Sequence, residues 1–129
     1  MKLFIDTANI EEIENIVKRG IVTGVTTNPS LLSKEPKNDF YQHIGKIVEI
    51  CRDNGDLPLS VEVFAEKPQE MYDQAIEICK KLNYDNLNIK IPIGFDELEV
   101  IQKLSSENIK VNCTCCFSTT QMQLAAQAG

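Results

Sequence analysis

A lysine at position 90 sits in the run "NLNIKIP", Asn86 to Pro92, flanked by Ile89 and Ile91 in what otherwise reads as a buried strand. Such a side chain can thread its charge to solvent along its methylene stem. Neighbouring apolar runs, however, put polar groups on the same face: Asp6; Thr26 and Asn28; Ser60 and Glu62; Asn88 beside Lys90; Asn112 and Thr114. A lysine sharing a cleft with two carboxylates has partners and a task. Only a neutral amine attacks a carbonyl, and with an ordinary pKa near 10.4 about one lysine in 2,500 is neutral at pH 7. Burial favours the neutral form and a nearby carboxylate the charged one. The chemistry this set points to is Schiff-base formation at Lys90, with a carboxylate available for proton transfer.

The elements that must position these groups recur as a series. Strand-like runs fall at 2–6, 24–28, 59–63, 87–91 and 111–115. Between them, apolar residues recur at helical spacing: Ile10, Ile13 and Val17; Phe40, Ile44, Ile47 and Cys51; Met71, Ala75, Ile78 and Leu82; Leu98, Ile101 and Leu104. Asn9 with Glu12 and Ser118 with Gln121 resemble capping boxes, Gly20 closes the first helix, and Pro68 suits a first helical turn. The stretch 33–39, "SKEPKND", reads as a polar loop. His43, beside Ile44, reads as a solvated helix residue without a partner. Strands joined in sequence by helices must be parallel with right-handed crossovers. The fold class is therefore α/β.

Two architectures accommodate five βα units: an open doubly wound sheet, and a stretch of a (β/α)₈ barrel, which closes at about 250 residues. Strand alternation separates them. Leu3 and Ile5, Val61 and Val63, Leu87, Ile89 and Ile91, and Val111, Cys113 and Cys115 make one face apolar or thiol-bearing, and the other face is polar. Helices on both sides would require two apolar faces. A barrel needs only its outward face apolar, and it gathers Asp6, Asn28, Glu62, Lys90, Asn112 and Thr114 toward the C-terminal mouth. Asn28 has a competing duty as a cap or turn residue before Pro29.

The 129 residues, 43% hydrophobic and 25% charged, suffice for one domain with its own core. A net charge of −6 with no basic stripe argues against nucleic acid as a partner, while one positive pocket could still take a small anion. No stretch reaches the ~18 apolar residues of a membrane span, and the N-terminus turns acidic too early for an export signal. The chain reads as cytoplasmic. Five cysteines without such a signal read as reduced thiols. In "CTCC", alternation sends Cys113 and Cys115 to one face and Cys116 to the other, which disfavours a metal site.

The segments "LFIDTAN", "GVTTNPSLL", "SVEV", "IKIP" and "VNCTCCFSTTQ", in this order, resemble the successive strand motifs of the transaldolase and fructose-6-phosphate aldolase family of class I aldolases. The resemblance implies a TIM (β/α)₈ barrel of which residues 1–129 form the N-terminal part, about five of eight βα units. It implies Lys90 as the Schiff-base nucleophile toward the C2 carbonyl of a ketose phosphate, and Asp6 as the acid/base at the C4 hydroxyl. Glu62 and Thr114 would shuttle protons through a water. Asn28 and Asn112 would hold hydroxyls of the three-carbon fragment, Thr26 would shape the mouth, and Ser118, otherwise the start of the fifth helix, would stand near it. No cofactor or metal is implied. Within the family, Glu62 and Asn112 resemble the transaldolase branch, which moves a dihydroxyacetone unit between sugar phosphates of the pentose phosphate pathway. The alternatives are fructose-6-phosphate aldolase and a noncatalytic truncated homologue.

The family's later strands supply the groups that grip the substrate phosphate, and its C-terminal helix builds ring-shaped oligomers. The sequence in hand ends in or near the fifth helix. It is expected to be a fragment, a truncated product, or a chain whose sheet is closed by a partner copy, because strands 1 and 5 would otherwise be raw edges.

Overall fold

The computed structural model describes residues 1–36 and 39–129. Among them the order is β1 (Phe4–Asp6), α1 (Ile10–Val17), β2 (Gly24–Thr26), α2 (Pro29–Leu32), α3 (Phe40–Asp53), β3 (Leu59–Glu62), α4 (Pro68–Leu82), β4 (Leu87–Pro92), α5 (Glu97–Ser106), β5 (Val111–Thr114) and α6 (Thr119–Ala128). The strands form one parallel sheet in sequential order, β1-β2-β3-β4-β5. The loop expected at 33–39 includes residues 37 and 38, which lie outside the described residues. Just before it comes α2, a single helical turn that Pro29 can start because the missing N–H is not needed there.

One face of the sheet holds the core. Val25, Leu59, Val61, Ile89 and Ile91 are fully buried, packed with Ile13, Ile44, Ile47, Ile78, Ile101 and Leu104 from the helices. Each such side chain contributes about 1.5–3 kcal/mol on leaving water. The amphipathic stripes of α1, α3, α4 and α5 all enter this one cluster, so these helices cover the same side of the sheet. The other side carries the polar residues. A Cβ on Gly24 would land on the Phe4 ring, so glycine lets that ring lie across β2 at the bottom of this face.

Local signals set the element ends. Ser118 and Gln121 form a full capping box at α6. At α1 only half of the expected box exists: Asn9 Oδ1 accepts from Glu12 N–H at 3.0 Å, but the Glu12 carboxylate accepts from the Thr7 hydroxyl at 2.7 Å. Thr7 Oγ1 in turn accepts from Asn9 N–H, taking the place expected of Glu12. Pro68 begins α4, and Asn83 ends it in the left-handed conformation, φ 43°.

Three expectations are corrected. The second strand ends at Thr26, so Asn28 is the N-cap of α2 rather than a strand residue. His43 is buried, with Nε2 2.7 Å from the Ala8 carbonyl oxygen, because α3 packs that side of the helix against the β1–α1 connection. The fifth strand stops at Thr114, and Cys115 has φ 63°. That reversal breaks alternation, so Cys113 faces Cys116 instead of sharing a side with Cys115.

Candidate active site

Lys90 lies on β4 between two fully buried isoleucines and is itself 7% exposed. It points to the polar side of the sheet, because Ile89 and Ile91 take the core side. Its Nζ donates to the Thr27 carbonyl at 2.9 Å and meets Glu62 Oε2 at 3.1 Å. β3 and β4 pair with Glu62 opposite Lys90, which sets the two side chains next to each other.

Thr27 is the residue that reading the sequence missed. Its side chain alternates away from Thr26 and Asn28, and the group used is a main-chain oxygen, on which the amino-acid type leaves no mark. Fully buried, Thr27 donates both its N–H (2.9 Å) and its hydroxyl (3.3 Å) to the Ser60 carbonyl. These bonds hold the residue that presents its carbonyl to the amine.

The remaining groups are stacked on rungs of the sheet. Asp6, Thr26, Ser60 and Asn88 pair in register across β1 to β4. Glu62, Lys90 and Asn112 form the next rung of the polar face across β3 to β5, and Pro92 pairs with Thr114 above it. Asp6 Oδ1 accepts from the Thr26 hydroxyl at 2.7 Å; among the described residues it makes no ion pair with Lys90. Asn112 Nδ2 reaches over β4 to Ser60 Oγ at 3.1 Å, tying the two rungs together. Ser60 is 2% exposed and serves both Thr27, through its carbonyl, and Asn112. The signal for it was its place two residues before Glu62.

Two expected residues are occupied elsewhere. Asn28 Oδ1 accepts from Leu31 N–H at 2.9 Å, and Ser118 Oγ accepts from Gln121 N–H at 3.2 Å. Both oxygens cap helices. Ser118 is exposed, and so are Phe64, Phe95 and Phe117, which follow the ends of β3, β4 and β5.

The class is set by these features together: a parallel β/α array in barrel order with a buried amine on its uncovered face. The chain belongs to the transaldolase/fructose-6-phosphate aldolase family, whose model matches residues 3–129. It is 46% identical over 129 residues to a probable transaldolase of Dehalococcoides mccartyi and to one of Thermodesulfovibrio yellowstonii, covering all of this chain and 57% of each relative. A probable transaldolase of Thermoplasma acidophilum is 46% identical over 136 aligned residues, and the chain covers 56% of it. The chain therefore spans little more than half the length of the curated relatives it matches. Among solved structures, the homocysteine methyltransferase MmuM of Escherichia coli matches 87% of this chain and 57% of its own, with a TM-score of 0.50 and 14% identity. That likeness concerns the fold, a TIM-barrel-like one.

Proposed function

We propose that Lys90 forms a Schiff base with the C2 carbonyl of a ketose phosphate and that the family's dihydroxyacetone transfer, as in a transaldolase, is the reaction this site serves. The observation that carries the reading is the buried amine held between Glu62 and the Thr27 carbonyl. An ammonium is not a nucleophile, so a proton must leave before attack. Glu62 is in contact to receive it. Attack gives a carbinolamine, whose hydroxyl must leave as water. Glu62 and Thr114, acting through a water, supply that proton. The resulting iminium withdraws electrons as the C3–C4 bond breaks, and Asp6 takes the C4 hydroxyl proton, returning it during condensation with an aldose phosphate. Asn112, Asn28 and Thr26 orient the hydroxyls of the retained fragment; Asn28 keeps its amide N–H donors for this while its oxygen caps α2. Ser118 stands near the mouth. The partners are small sugar phosphates in the cytoplasm, within the pentose phosphate pathway, rather than nucleic acid or membrane.

The share of the relatives' length that is matched favours a second element of the reading. Groups for the substrate phosphate come from sequence beyond the five βα units, in a longer chain or in a partner copy that closes the barrel at β1 and β5. Without them, turnover by this chain alone is slow, and a noncatalytic truncated homologue is the competing reading.

Borohydride reduction in the presence of dihydroxyacetone or fructose 6-phosphate tests the proposal. A stable adduct is expected on the peptide containing Lys90, and none in Lys90→Ala. Adduct on other lysines only, or none at any ketose concentration, rejects it. Assay with sedoheptulose 7-phosphate and glyceraldehyde 3-phosphate then separates transfer from fructose-6-phosphate aldolase activity. Turnover of free dihydroxyacetone alone would assign the aldolase.

A further inference from the structure

The segment "CTCC" has no part in the reaction above beyond Thr114. Because β5 ends at Thr114 and Cys115 turns the chain at φ 63°, the sulfurs of Cys113 and Cys116 come to 3.5 Å. Both residues are half-buried, whereas Cys115 is exposed. Both flanks of the turn are anchored. Ile93 N–H donates to the Thr114 carbonyl at 2.9 Å, and Gln121 Oε1 accepts from the N–H groups of Phe117 and Ser118 at 2.8 and 3.1 Å. The sulfurs are thus held together by the fold. A cavity of about 190 Å³, lined by Ile101, Val111, Ala125 and Ala126, opens on Cys113.

We propose that Cys113 and Cys116 are a dithiol modification site, closed to an internal disulfide by a low-molecular-weight disulfide, and that closure displaces the end of β5 bearing Thr114. Burial, then the hydrogen bond with Cys116, pushes the Cys113 thiol up to about 12, so Cys113 serves as the second, resolving thiol of the pair. The Cys116 thiolate attacks the small disulfide, forming a mixed disulfide and releasing one thiolate. Cys113, giving its proton to that thiolate or to solvent, attacks the Cys116 sulfur and expels the second. The two cysteines lose two electrons and two protons, and the small disulfide becomes two thiols. Closure shortens the 3.5 Å separation to the ~2 Å of a covalent S–S bond, and Thr114 lies between the two sulfurs in sequence. The effect on catalysis rests on the role of Lys90 and Thr114 proposed above; the disulfide itself does not.

Tryptic cleavage after Lys110 places all three cysteines in one peptide. After glutathione disulfide treatment, quenching and alkylation, that peptide should carry one alkyl group, on Cys115, and should have lost two hydrogens. Cys115→Ser should carry none, and Cys116→Ser should show no internal disulfide. Three alkylated or glutathionylated cysteines in the wild-type peptide, or a bond that includes Cys115, overturn the proposal. Wild type and Cys115→Ser are enough to decide the pairing if Cys116→Ser does not fold. The oxidised protein should form the Lys90 adduct about 10- to 100-fold more slowly, as expected for a catalytic group moved by ~1 Å, and recover with dithiothreitol. An unchanged adduct rate in fully oxidised protein refutes the displacement of Thr114. Alkylation reads the disulfide independently of Lys90, so failure to trap any adduct in reduced protein counts against the Schiff-base reading alone.

Discussion

Exchanging Glu62 for Gln and Lys90 for Met, singly and together, measures the contact on which the site is built. At 3.1 Å, Coulomb's law with an effective dielectric constant of about 20 gives roughly 5 kcal/mol of gross attraction. The side chains are 9% and 18% exposed, so water recovers part of that energy when one partner is lost. Glu62→Gln also keeps an oxygen able to accept from Nζ. We expect this variant to lose about 2 kcal/mol, below the 3–5 kcal/mol of a fully buried broken pair. Lys90→Met leaves the Thr27 carbonyl without its donor and Glu62 without its counter-charge, at a cost of about 2 kcal/mol. The double variant removes both charges, so it should be more stable than the sum by about 2 kcal/mol. Urea unfolding monitored by circular dichroism reads each ~2 kcal/mol as a midpoint shift of about 1 M for a slope near 2 kcal/mol/M. Additivity within about 0.5 kcal/mol would show that amine and carboxylate do not share a pair in solution, and the Lys90–Glu62 contact would be refuted.

Two further outcomes test the frame around the site. Burial holds the Cys51 thiol up to about 12, so the folded chain keeps it neutral where the unfolded chain ionises it. Its contribution is therefore constant below about pH 9, and the protein loses stability as pH rises from there toward 12. Cys51→Ala should cost about 1–2 kcal/mol near neutrality but flatten the alkaline decline; equal decline in both proteins, followed by urea midpoints from pH 8 to 11, would contradict this. His43→Leu strands the Ala8 carbonyl and should cost about 1–2 kcal/mol. Because that carbonyl lies two residues after Asp6, local hydrogen exchange in the β1–α1 connection should rise in this variant, and unchanged protection would reject the link.

The site was legible to differing depth, for reasons visible in individual residues. Lys90 and Glu62 could be assigned to one face because alternation is a local property of extended chain, and the structure puts them on paired strands in register. Asn28 was readable as either a strand residue or a cap, since Pro29 supports both; its side-chain bond to Leu31 shows that it caps. His43 lies in a helix whose stripe also accommodates a polar residue at its margin, and only packing against Ala8 reveals a buried acceptor.

The amino-acid sequence alone determined the strand-helix alternation, the division of the sheet into an apolar and a polar face, and the family motifs, because these rest on periodicity and on residues near in the chain. Tertiary structure alone decided that a main-chain oxygen of Thr27 accepts from the Lys90 amine, that Asn112 reaches Ser60 across a strand, and that Cys113 meets Cys116. Main-chain acceptors carry no side-chain signature, and a single left-handed residue redirects everything after it. The Thr27 and Asn112 contacts exist only once distant strands have been brought into register, whereas the Cys113–Cys116 contact follows from the turn at Cys115.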